Sequence, residues 1–209
     1  MNIRRLRRLM QADARSNPGW HLDALKARTL LAEVRLERCV YEWQQAEPRP
    51  LRIAAWQGAR FAGSVFQWLF FQSEISGEVS IGEGLRLPHP QSIVITRKAS
   101  LGAHCSVYHN VTLARRTFVA DEQCPRVGDR VVVGAGAILI GAVDVGADSV
   151  VGAGVVVARD VPAASLAVAA APTISPRRPI EATDDGAAPE YPTVHPLDRR
   201  RQARAGQAT

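Results

Sequence analysis

Histidine and cysteine carry much of the proton-transferring and nucleophilic capacity of this 209-residue chain, with five of the first and three of the second. His89, in LPHPQSIVI, could take a hydroxyl proton and return it, because an imidazole titrates near neutrality, and His109, in VYHNVTL, could offer a second polar contact to an acceptor or thioester. Each ring would equally suit a corner residue on a solvated face, and the residues alone leave both readings open. His104 and His109 are spaced H-x4-H, a spacing that suits zinc, but no third histidine completes a ligand set and no metal is expected. Cys124 could be pictured as a nucleophile, yet no basic pattern beside it would activate the thiol, and a plain loop cysteine is the preferred reading. Cys39, Cys105 and Cys124 are too scattered for a disulfide framework, which fits a reducing, cytoplasmic setting. Gly134-Ala135-Gly136 and Gly152-Ala153-Gly154 lie 18 residues apart and leave backbone groups open wherever they fall.

These residues need elements to position them, and the chain changes character near residue 74. All four tryptophans lie before it, whereas eleven of the sixteen glycines lie between 77 and 154. In the first part, Ala27, Leu30, Leu31 and Val34 follow helical spacing, Asp23 suits a helix first turn, and Pro48 and Pro50 stop the helix. A second helix over 51–71 then folds back on the first. From Ile75 aliphatics recur every sixth residue, at 75, 81 and 87, at 95, 101, 107 and 113, and from 127 to 157. Neither a helix nor an alternating strand gives that period; a parallel β-helix does, with three short strands per 18-residue coil. The phase slips by two residues between Leu87 and Ile95, and 114–126 breaks the pattern as an ejected loop. Subtracting the slip puts His109 one coil above His89, about 4.8 Å away at strand spacing. The expected divisions are a helical segment 1–73, a β-helix domain 74–172, and a Pro-, Arg- and Ala-rich disordered tail 173–209.

The charge of +6 predicts attraction to polyanions, but arginines near the two ends supply much of it and no nucleic-acid-reading motif accompanies them. No signal peptide is expected from MNIRRLRRLM, and the run 53–71 is too interrupted to span a membrane. Peripheral membrane contact is left without support.

LPHPQSIVI, VYHNVTL, CPRVGD, VVVGAGAILIG and VVGAGVVV resemble the serine acetyltransferase family over roughly 74–172, with a looser likeness over 10–46 in DARSNPGW and KARTLLAEVRLER. The resemblance implies a mainly β protein, a left-handed parallel β-helix with a short N-terminal α-helical cap, working as a homotrimer or hexamer with sites between subunits. It implies acetyl-CoA as co-substrate and a hydroxyl acceptor. By it, His89 matches the family's general base and Glu74 the carboxylate that orients it. The pantetheine arm would lie along Gly134, Ala135, Ala153 and Gly154. The family's closing basic residue is missing at Ile174, so Arg177 or Arg178 is the candidate for the CoA phosphates.

Departures from the family set the expected acceptor. Asn17, Pro88, Gln123 and Cys124 stand where the family holds the charged groups of serine, and a zwitterion would lose partners each worth about 1.5 to 3 kcal/mol. The acceptor is therefore expected to be a sugar or polysaccharide unit, contacted by Asn17, His109, Gln123 and Cys124. A true serine O-acetyltransferase and a non-catalytic scaffold are the alternatives.

Overall fold

A computed structural model describes residues 3–116 and 124–171. Three helices come first: α1 (Ile3–Ser16), α2 (Leu22–Ala46) and α3 (Pro50–Phe71). Helix α2 is rich in Ala, Leu, Arg and Glu, good helix formers, and has Asp23 in its first turn. Pro50 opens α3, where a missing N–H costs nothing, and Gln72 in the left-handed region closes it. Contacts of Arg52 with Trp43, Arg60 with Glu37, and Gln67 with Glu33 show α2 and α3 running antiparallel. The fold-back read from the sequence is therefore present, but α1 is an addition. Its arginines at 4, 5, 7 and 8 make it read as a basic start, although Ile3, Leu6, Leu9 and Met10 stand at helical spacing; the buried ion pair of Asp13 with Arg35 ties it to α2.

From Glu74 the chain winds as a left-handed parallel β-helix. Among the described residues its first face holds five strands (Glu74–Ile75, Val94–Ile95, Thr112–Ala114, Ile138–Ile140, Val156–Val157). The second face holds four (Ser80–Ile81, Ser100–Leu101, Arg126–Val127, Asp144–Val145), and so does the third (Ser106–Val107, Val132–Val133, Val150–Val151, Leu166–Ala167). The register sets Ile75 beside Ile95, Ile95 beside Leu113, and Val107 beside Val133 and then Val151. Every residue of the six-residue series is buried except Ile81, which is half-buried. A second inward series lies two positions earlier, with Leu85, Ile93, Cys105, Val111, Val131 and Val143 all buried, so each strand sends two side chains inward and the period shows only one of them. Cys105 is thus a core residue. Burial raises its thiol pKa and leaves it inert.

Each later coil hydrogen-bonds to a coil below, and the first coil has none below it. Side chains of the helices take that role. Gln67 donates to the carbonyl of Ile75 and accepts from its N–H. Arg38 donates to Gly77 and Glu78, and Arg35 to Ile81 and Gly82. The Asp13 carboxylate accepts from the N–H groups of Gly84 and Leu85. Asn17 donates to the Leu85 carbonyl and accepts from the Leu87 N–H. Buried backbone groups left without such partners would each cost about 1 to 3 kcal/mol. Residues 1–170 cluster as one compact unit. The expected tail 173–209 lies outside the described residues. No described helix is long and apolar enough to cross a membrane.

Candidate active site

The corner between the third and first faces gathers the chemistry. His89 lies between Arg86, which pairs with Ser106, and Val94 on the first face. That corner is two residues longer than the same corner one coil up, where Ser106 is followed by Thr112 rather than by a partner of residue 92. The extra length is the slip seen in the sequence. It is absorbed by a turn in which the Gln91 N–H meets the His89 carbonyl and Ser92 takes a positive φ of 54°. His109 stands directly above His89, ring centroids 5.7 Å apart and nearly perpendicular. The stack continues through Ala135, since the Gly136 N–H donates to the His109 carbonyl, and through Ala153, since the Gly154 N–H donates to Ala135. His89, His109, Ala135 and Ala153 therefore climb one edge of four successive coils.

The glycines of that edge have separate tasks. A Cβ on Gly134 would meet the Ala153 nitrogen at 2.7 Å, so its smallness lets two coils stack. Gly154 has a φ of 68° with no heavy atom within 4 Å of a built Cβ, and both it and Ala153 are exposed. Here the edge is open.

The carboxylate on His89 is not the expected one. Asp23, in the first turn of α2, places Oδ2 3.0 Å from His89 Nδ1. Glu74 turns instead toward Arg60, 3.7 Å away, and with Cys124 lines a cavity of about 630 Å³ along the first face and its far corner. The expectation that Glu74 orients His89 is thus corrected within the chain. An acidic residue six positions after Asn17 was the available signal, but helical patterning accounted for Asp23 and hid it.

Asn17 is corrected as well. It is 5% exposed and its amide is spent on the backbone of Asp13, Leu85 and Leu87, so it pins helix to coil and offers nothing to a substrate. Cys124 is buried at the foot of the loop, one face away from His89. His104 sits at the corner between the second and third faces, away from His109. Gln123 and Arg177 lie outside the described residues. His109 Nδ1 is buried without a hydrogen-bond partner among the described residues.

No family model matches the chain. Curated relatives do, among them the serine acetyltransferase of Mycobacterium tuberculosis, 35% identical over 123 residues (56% of this chain, 54% of the relative), and that of Helicobacter pylori strain J99, 42% identical over 97 residues (46% and 57%). The solved soybean serine acetyltransferase complexed with serine superposes with a TM-score of 0.62 at 27% identity, over 77% of this chain and 65% of that one. Over these stretches the chain is similar to serine acetyltransferases. It spans a little over half the length of these two curated relatives. The likeness to the serine acetyltransferases gives no backing to a sugar O-acetyltransferase branch.

Proposed function

We propose that the chain is an O-acetyltransferase that moves an acetyl group from acetyl-CoA to a hydroxyl, with His89 as general base. One observation carries the reading: the Asp23–His89 pair stands at the foot of the open edge formed by His109, Ala135, Ala153 and Gly154. The open edge is compatible with a narrow pantetheine arm. Acetyl-CoA would supply the thioester. Asp23 accepts the Nδ1–H of His89, fixes the tautomer and stabilises the imidazolium, leaving Nε2 to take the acceptor's hydroxyl proton and hand it to the departing thiolate.

The acceptor in this reading is L-serine rather than a sugar. The relatives carry that activity in their names, the soybean structure holds serine, and Asp23 restores at the base a carboxylate able to meet an ammonium, which Asn17 cannot. Glu74 and Cys124, at the other end of the first face, would belong to a neighbouring subunit's half of the site in the implied homotrimer. A monomer in native mass spectrometry would remove that part of the reading.

Thiol release from acetyl-CoA across serine, homoserine, sugars and nucleotide sugars tests the acceptor. Serine is expected to give the highest kcat/KM, and a sugar turned over faster would reverse the choice. His89→Ala should lose about 10² to 10⁴ in rate with CoA binding retained. No thiol release with any acceptor would leave the scaffold reading in its place.

A further inference from the structure

The outer side of α3 has no part in the chemistry described so far, and no described residue covers it. Leu51, Phe61, Val65, Trp68 and Leu69 follow one another along it at helical spacing and are all exposed, Leu51 to 78%. Alanine and glycine fill the positions between them, with Gln57 at the edge, so the stripe runs apolar for about 27 Å of helix. The two charged residues of α3 turn away from it, Arg52 to the Trp43 carbonyl and Glu47, Arg60 to Glu37 and Glu74. An apolar face of this length on a helix already packed by its other side marks a contact surface.

The apolar surface continues beyond α3. Beside it a groove of about 860 Å³ crosses α2 to α1, walled by Ile3, Leu6, Leu36, Trp43, Ala62 and Phe66. Arg7 stands one helical turn from Ile3, and Arg4 follows Ile3 in sequence. Both arginines are exposed and have no ion-pair partner among the described residues. The acids nearby are already engaged: Glu37 is buried and Glu33 half-buried at the groove, Glu42 pairs with Arg38, and Glu47 with Arg49 and Arg52. Residues 3–71 hold twelve Lys and Arg against six Asp and Glu, so the charge left unmatched on this side of the chain is positive.

We propose that this surface docks on an anionic lipid bilayer, with α3 in the plane of the interface, Phe61, Trp68 and Leu69 among the upper acyl chains, and Arg4 and Arg7 against lipid phosphates. Charge favours a bilayer over a second copy of the chain. Two copies laid face to face would set arginine toward arginine, whereas lipid phosphates supply the opposite sign. Polarity points the same way. A protein interface carries hydrogen bonds beside its apolar contacts, and the stripe offers almost no side-chain donor or acceptor; hydrocarbon asks for none. Trp43, which lines the groove, has the Arg52 guanidinium 4.6 Å from its ring centre, an apolar body with a cation that suits the headgroup level. No described helix is long and apolar enough to span, so the contact stays at the surface.

Flotation of the full chain with lipid vesicles tests the docking. Vesicles of phosphatidylglycerol and phosphatidylcholine in equal parts should bind the chain about tenfold more tightly than phosphatidylcholine alone, and about 0.5 M salt should remove most of that excess. A chain that floats with neither kind, or equally with both, overturns the proposal. Phe61→Ser combined with Trp68→Ser should weaken binding about tenfold, and Arg4→Gln combined with Arg7→Gln about fivefold, with urea midpoints unchanged. Binding unchanged in either pair overturns it too. Should a pair fail to fold, the wild-type tryptophans decide: bromine on the upper acyl chains should quench their fluorescence when vesicles bind, and no quenching refutes the insertion. Self-association in analytical ultracentrifugation that Phe61→Ser with Trp68→Ser abolishes, in a chain that does not float, would give the face to a second copy instead.

Discussion

The coils and the helices bury polar groups by opposite means. Among the described residues of the β-helix beyond the first coil, the one buried polar residue is Ser149, which donates to the Pro162 carbonyl; the other buried residues there are apolar, and each coil supplies backbone partners to the next. At the junction with the helices, Asp13, Asn17, Arg35, Glu37, Gln67, Ser73 and Ser76 are all buried. The outward side of α3 shows the reverse, with Phe61 73% and Trp68 70% exposed. A repeating fold needs only the right period, whereas a join between unlike architectures needs named residues in named places. The carboxylate paired with His89 belongs to the second kind, since Asp23 lies on α2 and reaches His89 across the junction of helices and coils.

The largest expected effect breaks the junction. Asp13→Ala leaves the buried Arg35 guanidinium unpaired and strips the Gly84 and Leu85 N–H groups, which should cost about 3 to 5 kcal/mol in urea unfolding. A loss below about 1 kcal/mol would mean that the coils hold themselves without the helices.

A smaller effect depends on pH. Burial pushes the Glu37 carboxyl up to about 7, helped by the neighbouring Glu33 and opposed by the Gly77 N–H and Arg60. A folded pKa above the unfolded one means that stability is fully present below about 4.5 and is lost as pH rises through about 7. Urea midpoints should fall across that window in the parent, and Glu37→Gln should flatten the fall. A parent whose midpoint rises there would show the carboxyl to be ionised in the fold.

The smallest effect falls on the apolar face of α3. Trp68→Ser should change the stability of an isolated chain by no more than about 0.5 kcal/mol, since the ring is largely exposed. A loss above 1 kcal/mol in unfolding would show that this face is packed in solution.

What could be read from the sequence follows the same division. The period placed the coils, the slip and the loop roots, and it put His109 over His89, because equal spacing in sequence becomes equal height in a solenoid. It also aligned the two Gly-Ala-Gly corners. It could not find Asp23 or the structural use of Asn17, whose partners lie 66 and 68 to 70 residues away across two architectures. Likeness to a family suggested Glu74 and Asn17 as site residues by alignment. Within one chain, geometry gives Glu74 to Arg60 and Asn17 to the backbone.

The ring of side chains beneath the first coil has a consequence for assembly. A bare β-helix end is a row of unpaired strand edges, able to template another chain end-on. With Gln67, Arg38, Arg35, Asp13 and Asn17 already bonded to that row, the stack has a terminus at which no further rung can be added. Growth by strand addition is closed at this end, and a second copy meeting it would face helix side chains instead of open strand edges.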